Sequence, residues 1–320
     1  MRASFAKTQM SAPGRPDLSG KRLLIVTGKG GVGKSTVAAA LAIAASARGQ
    51  RTIVAEVAAR SDVASLLGWS GAAPRREAEL APALHHVSIE PQGALAEYIR
   101  DEIPGRVPGM ILARSRAFDV LATATPGMRE LLTVGKVWEL AQRPRRTSGA
   151  RPYDLVILDA PASGHAAALL GAPRTFASIA NVGPVARQGA AIDRTLRDRR
   201  SSGVIAVATP EQMAVSEALE LRGTLSESLE IALDGVVVNR VLPARFSAAE
   251  QRTLASAPDD PAVRSARWFA ARARAQRAQL ARLRRGLRGV PSTTLPFFFS
   301  DELGAAQLEA LARRLARWQA

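Results

Sequence analysis

The chain has 320 residues, 47% of them hydrophobic, and no cysteine. That length supports a large core in one α/β domain with an insertion, and the absent thiol excludes a disulfide framework, a thiolate zinc site and a cysteine nucleophile while fitting a reducing, cytoplasmic setting. The net charge of +16 comes almost entirely from arginine, but with aromatic residues at 4% the chain lacks the stacking platforms of single-strand binders, so nucleic acid is not the expected partner.

Residues 1–20 are polar, contain Pro13, Gly14 and Pro16, and have no apolar stretch of signal-peptide length, so they read as a disordered tail ahead of a single domain at 21–320. The apolar run Leu23-Leu24-Ile25-Val26 then leads into Gly28-Lys29-Gly30-Gly31-Val32-Gly33-Lys34-Ser35-Thr36, which opens an Ala-rich helical pattern. A glycine-rich loop between a strand and a helix is a phosphate cradle. Its N–H groups converge on phosphate oxygens, and the helix N-terminus adds positive potential. Lys34 is placed to reach the β- and γ-phosphates and the Ser35 hydroxyl to coordinate Mg²⁺. The pattern Val37 to Ala47 is too short and too rich in alanine to cross a bilayer, and no transmembrane segment is expected.

Apolar runs alternating with helical patterns predict strands at Arg22–Thr27, Thr52–Val57, His86–Glu90, Leu155–Asp159, Val204–Ala208, Gly235–Asn239 and Ser292–Leu295. Several are near-continuously apolar, as strands covered on both faces are. The fold class is therefore α/β, a doubly wound, mostly parallel sheet flanked by helices. Strand signals vanish at about 91–149, which reads as a helical insertion closing with the exposed loop Arg143-Pro-Arg-Arg-Thr-Ser-Gly. Its apolar residues Ile103, Met110, Ile111, Leu112, Phe118 and Leu121 suit either the insertion's own core or a groove for a hydrophobic client.

The strand ending in Asp159 supplies the second acidic group that Mg²⁺ needs. His165, shortly after it, reads as a hydrogen-bonded loop residue or a phosphate sensor. Asn239 closes a buried strand and suits the donor–acceptor edge of adenine, making the nucleotide ATP; a strand-end cap is the alternative. From about Pro261 to Arg288 a basic segment carries Leu280, Leu283 and Leu287 at helical spacing, the pattern of a helix covering the sheet or lying on a membrane surface.

The loop GKGGVGKS, with Lys29 before the double glycine, resembles the deviant P-loop of the ArsA, MinD and ParA ATPases. By that resemblance Lys29 reaches the nucleotide of a second subunit, so the working unit is a homodimer or a heterodimer; a ParA-like DNA-partition ATPase using the positive charge is an alternative. Asp159-Ala-Pro-Ala-Ser-Gly-His, Val237-Val-Asn-Arg and Leu295-Pro-Phe-Phe-Phe-Ser-Asp-Glu-Leu-Gly304 narrow the likeness to the ArsA/Get family, and Leu132-Thr-Val-Gly-Lys136 and Gly183-Pro-Val to actinobacterial Get-like ATPases that occur as paired paralogues. The resemblance implies ATP with Mg²⁺, a nucleotide site of Gly28 to Thr36 with Asn239, Arg240 and Pro296, metal contacts at Ser35 and Asp159, and a cytoplasmic protein, peripheral at a membrane at most, acting on a hydrophobic client or membrane partner. Two features depart from it. The family's water-orienting Asp falls on Ala58, leaving Glu56 or Asp62 to replace it, or a subunit that hydrolyses slowly and relies on a paralogue. The thiolate metalloid site and the zinc-clamped dimer found in parts of the family are excluded by the lack of cysteine.

Overall fold

The computed structural model describes residues 14–57, 61–71, 76–102, 127–147, 149–180 and 183–319. Eight strands form one sheet: β1 (Leu23–Gly28), β2 (Thr52–Val57), β3 (Ala78–Ala81), β4 (Leu84–Ile89), β5 (Leu155–Ala162), β6 (Ser202–Ala208), β7 (Leu233–Val241) and β8 (Ser292–Pro296), in the order β3-β4-β2-β5-β1-β6-β7-β8. Every pairing is parallel except β3 with β4. All seven expected strands are present. β3 was not expected from sequence, because it is a four-residue edge strand of mixed burial followed directly by Pro82.

Ten α-helices, with a π-helical turn at Thr224–Ser228, complete the described fold: α1 (Lys34–Ser46), α2 (Asp62–Leu66), α3 (Pro91–Glu102), α4 (Met128–Leu140), α5 (Ser163–Ala180), α6 (Pro184–Arg197), α7 (Gln212–Gly223), α8 (Ala248–Ser256), α9 (Pro261–Gly286) and α10 (Ala305–Gln319). α1 lies on the centre of the sheet with α2 and α10 beside it, while α5, α6 and α7 pack on the other face and α9 rests on α7 and α8. Strands β1, β4 and β6 are buried along their whole length; β1 and β6 read as nearly continuous apolar runs, whereas β4 buries His85, His86 and Ser88. The core gathers Ile25, Ile53, Ile157 and Ile205 of the central strands with Val37 and Leu41 of α1.

α3 and α4 lie within the expected insertion; residues 103–126, including all six candidate groove residues, lie outside the described residues, as do 1–13 of the tail and Ala58. The closing loop is not simply exposed. Its Arg145 side chain is only 1% accessible because Glu77 and Glu139 enclose the guanidinium, at 2.7 and 2.8 Å. Lys136 of α4 pairs in turn with Glu97 of α3 at 2.6 Å, and Tyr153 donates its hydroxyl to Glu77 at 2.8 Å. This cluster fastens the two helices to the edge of the sheet.

Candidate active site

At the C-terminal edge of the sheet, β1 runs through the glycine loop into α1. Two glycines are required sterically. Gly28 has φ 148°, and a Cβ there would lie 2.0 Å from the Val207 carbonyl oxygen of β6; Gly33, at φ 91°, would bring a Cβ within 2.4 Å of the Asn239 amide nitrogen. Only a residue without a side chain lets the loop fit between these strands. Lys34, Ser35 and Thr36 then begin α1, so their side chains and N–H groups cluster where the helix is most positive.

Strand register delivers the acid. Asp159 pairs with Val26 on one side and with Glu56 on the other, and its Oδ2 accepts the Ser35 hydroxyl at 2.6 Å. A hydroxyl beside a fully buried carboxylate is a hard-oxygen pair of the kind Mg²⁺ takes, so the donor set fits the metal. Lys34 is largely buried and its ammonium donates to the Lys29 carbonyl at 3.2 Å, within the loop it would serve. Beside these groups opens a cavity of about 1030 Å³, lined by Gly31, Gly33, Lys34, Ser35 and Thr36, by Asp62 and Ser65 of α2, by Arg240, and by Glu302 to Ala305. It is large enough for a nucleotide.

Glu56 lies next to Asp159 across the β2–β5 pairing, but its side chain is taken up on the other side, toward β4. It is fully buried and lines neither large cavity. Its Oε2 accepts from His86 Nε2 at 2.7 Å and from the Val63 N–H at 3.0 Å, tying the end of β2 to β4 and to α2. His86, two residues before Ser88 on β4, is also fully buried. Sequence reasoning missed this partner because the two residues are thirty apart and only the register brings them together. Asp62 does line the cavity.

Asn239 faces the loop. Its Nδ2 donates to the Val32 carbonyl at 3.0 Å and its Oδ1 accepts the Arg240 N–H at 2.9 Å, so the amide holds β7 against the glycine loop. Arg240, with φ 58°, borders both large cavities, whereas Pro296 ends β8 outside them. His165 is exposed in the first turn of α5.

Lys29 projects to the other side of the loop, toward a second cavity of about 650 Å³ walled by Val32, Pro210, Leu242, Trp268, Phe269 and Phe297. Its ammonium lies 3.8 Å from Glu217 of α7, and the same carboxylate accepts the Ser163 hydroxyl at the start of α5. Met213, Trp268 and Phe299, exposed by 67, 65 and 58%, crowd the rim.

A parallel α/β sheet with a glycine loop opening α1 and a serine hydroxyl on a strand-end Asp defines a P-loop nucleotide-binding protein. A family model described as anion-transporting ATPase matches residues 21–188 and 179–317, and the chain belongs to that family. ATPase BagA of Mycobacterium tuberculosis is 32% identical over 247 residues, covering 76% of this chain and 71% of its own. ATPase GET3B of Arabidopsis thaliana is 25% identical over 275 residues, 70% of this chain and 65% of its own, and the arsenical pump-driving ATPase of Escherichia coli 27% over 269, 74% and 44%. No helix among the described residues is long and apolar enough to cross a membrane.

Proposed function

We propose that this chain is a Mg²⁺-dependent ATPase subunit that works as a dimer and couples nucleotide-driven closure to a hydrophobic client or membrane partner. The observation that carries the reading is the Ser35–Asp159 contact of 2.6 Å, with Ser35 lining the 1030 Å³ cavity. In that reading the loop N–H groups and Lys34 bind the phosphates, and Ser35 and Asp159 hold the metal, which neutralises phosphate charge when bound. The adenine lies toward Arg240 and the segment from Glu302, with Asn239 keeping the loop in shape beneath it.

Lys29 acts on the nucleotide of the second subunit. Its place on the outer side of the loop supports this role, as does the ring of exposed apolar side chains around it, the kind of surface that a partner covers. Closure would exchange the Lys29–Glu217 contact for one to phosphate, freeing Glu217 and the Ser163 end of α5 to respond.

A second reading, a subunit that binds ATP but turns it over slowly by itself, is favoured by the placement of Glu56. Its carboxylate is occupied by His86 and Val63, so it is suited to tying β2 to β4 and to the start of α2 rather than to orienting water. Steady-state turnover of the chain alone, then mixed with a paralogous subunit from the same source, separates the two. Fast turnover alone supports the first, and turnover appearing only in the mixture supports the second. Failure to bind Mg·ATP at all rejects both.

A further inference from the structure

Helix α9 carries eight arginines and no Asp or Glu. Four are engaged within the protein: Arg264 with Asp259, Arg267 with the Leu254, Ala255 and Ala257 carbonyls, Arg272 with Glu211, and Arg282 with Ser216. The other four, Arg274, Arg277, Arg284 and Arg285, are exposed, and none has a hydrogen-bond or ion-pair partner among the described residues. Arg288, exposed and likewise unpartnered, follows in the turn after the helix.

Their spacing puts them on one face. At 3.6 residues per turn the four fall within an arc of about 100°, and from Arg274 to Arg285 they span about 16 Å of axis. The alanines between them, Ala275, Ala278 and Ala281, are exposed and too short to screen the guanidiniums. The apolar side of the helix is already used. Ala273, Leu280 and Leu283 are buried, and Gln276 accepts the Leu242 N–H at 2.8 Å. α9 therefore cannot roll that side into a bilayer without leaving α7 and α8.

We propose that this arginine face docks the protein on an anionic phospholipid surface by adsorption rather than insertion. The charge complementarity is one-sided. The stripe has no acidic residue, its arc lets all four guanidiniums reach one plane together, and guanidinium pairs with phosphate through two parallel hydrogen bonds. A nucleic-acid single strand is the less suited occupant, because the stretch from Arg274 to Arg288 has no aromatic side chain on which a base could stack.

The test is co-sedimentation of the full chain with phosphatidylcholine vesicles containing roughly one-third phosphatidylserine, in about 0.1 M salt, where screening sets in beyond about 10 Å. The wild type binds these vesicles and not pure phosphatidylcholine. Each arginine near the surface contributes about fivefold, so the combined Arg274→Gln, Arg277→Gln, Arg284→Gln, Arg285→Gln variant binds several hundredfold more weakly. All four side chains are exposed, and an unchanged thermal midpoint shows that the variant is folded. Equal binding by the two vesicle types, or by variant and wild type, overturns the proposal. So does tighter binding of a duplex oligonucleotide at equal phosphate concentration, which would reassign the face to nucleic acid.

Discussion

Glu56 Oε2 and His86 Nε2 meet at 2.7 Å in the closed interior between β2 and β4, and the same oxygen takes the Val63 N–H of α2. One carboxylate thus ties the end of β2 to β4 and to the start of α2, near the place where the family resemblance calls for an acid that orients water. If anchoring is its task, Glu56→Gln, whose amide oxygen still accepts from Val63, leaves ATP affinity within about twofold and costs about 0.5–1.5 kcal/mol, one hydrogen bond's worth. Glu56→Ala strands two buried donors and costs roughly 2–6 kcal/mol in denaturant unfolding. A turnover loss of tenfold or more in the folded Gln variant, with affinity intact, would return Glu56 to the reacting atoms.

Lys29→Ala separates binding from closure. The lysine points away from the nucleotide cavity of its own subunit, so ATP affinity measured on the isolated chain changes little. Dimer-dependent turnover falls by roughly tenfold or more, in keeping with the weight that a trans-acting cation carries in phosphoryl transfer. Restored turnover on mixing Lys29→Ala with a Lys34→Ala chain is the signature of action across subunits, and turnover that stays low in the mixture counts against it.

Asn239→Ala weakens the loop rather than the choice of base. The lost bond to Val32 frees a buried carbonyl, at roughly 1–3 kcal/mol of stability. Affinity for ATP and GTP should fall together. A selective gain for GTP would show that Asn239 reads adenine after all.

Arg145→Met tests the clamp on α3 and α4. Burial alone would raise the carboxyls of Glu77 and Glu139, but the hydrogen bonds and charge of Arg145, together with Lys136 and, for Glu77, Tyr153, more than offset it and hold both below their ordinary 4.5. Carboxylates depressed in the folded state add stability that is complete above 4.5 and is lost as pH falls through their lowered values. The variant, which leaves two carboxylates without their main partner, is less stable near neutral pH by about 3–5 kcal/mol. That difference narrows on acidification below 4.5, as urea unfolding at both pH values would record. A constant difference would mean that only packing was lost.

The glycine loop, Asp159 and the seven long strands are legible in the sequence because each depends on local pattern, namely apolar runs, glycine spacing and an acid at a strand end. What escaped depends on distance. Edge strand β3, four residues with a charged Glu79 among them, is too short to signal itself. Arg145 lies in a segment whose Pro, Arg and Ser composition reads as solvent-exposed, and it is buried only because Glu77, far earlier in the chain, comes to meet it. Asn239 is expected at the nucleotide from its place at a strand end and Glu56 as a replacement for the resemblance's missing acid; what the sequence does not show is that their side chains also bond Val32 and His86.

The central claim, that the loop at 28–36 is a working nucleotide site, is tested most directly by calorimetric titration of Mg·ATP into the wild type and into Lys34→Ala. The account predicts saturable binding by the wild type that is lost without Mg²⁺ or strongly weakened, and no detectable binding by the variant. A folded Lys34→Ala chain that binds Mg·ATP as the wild type does would contradict it.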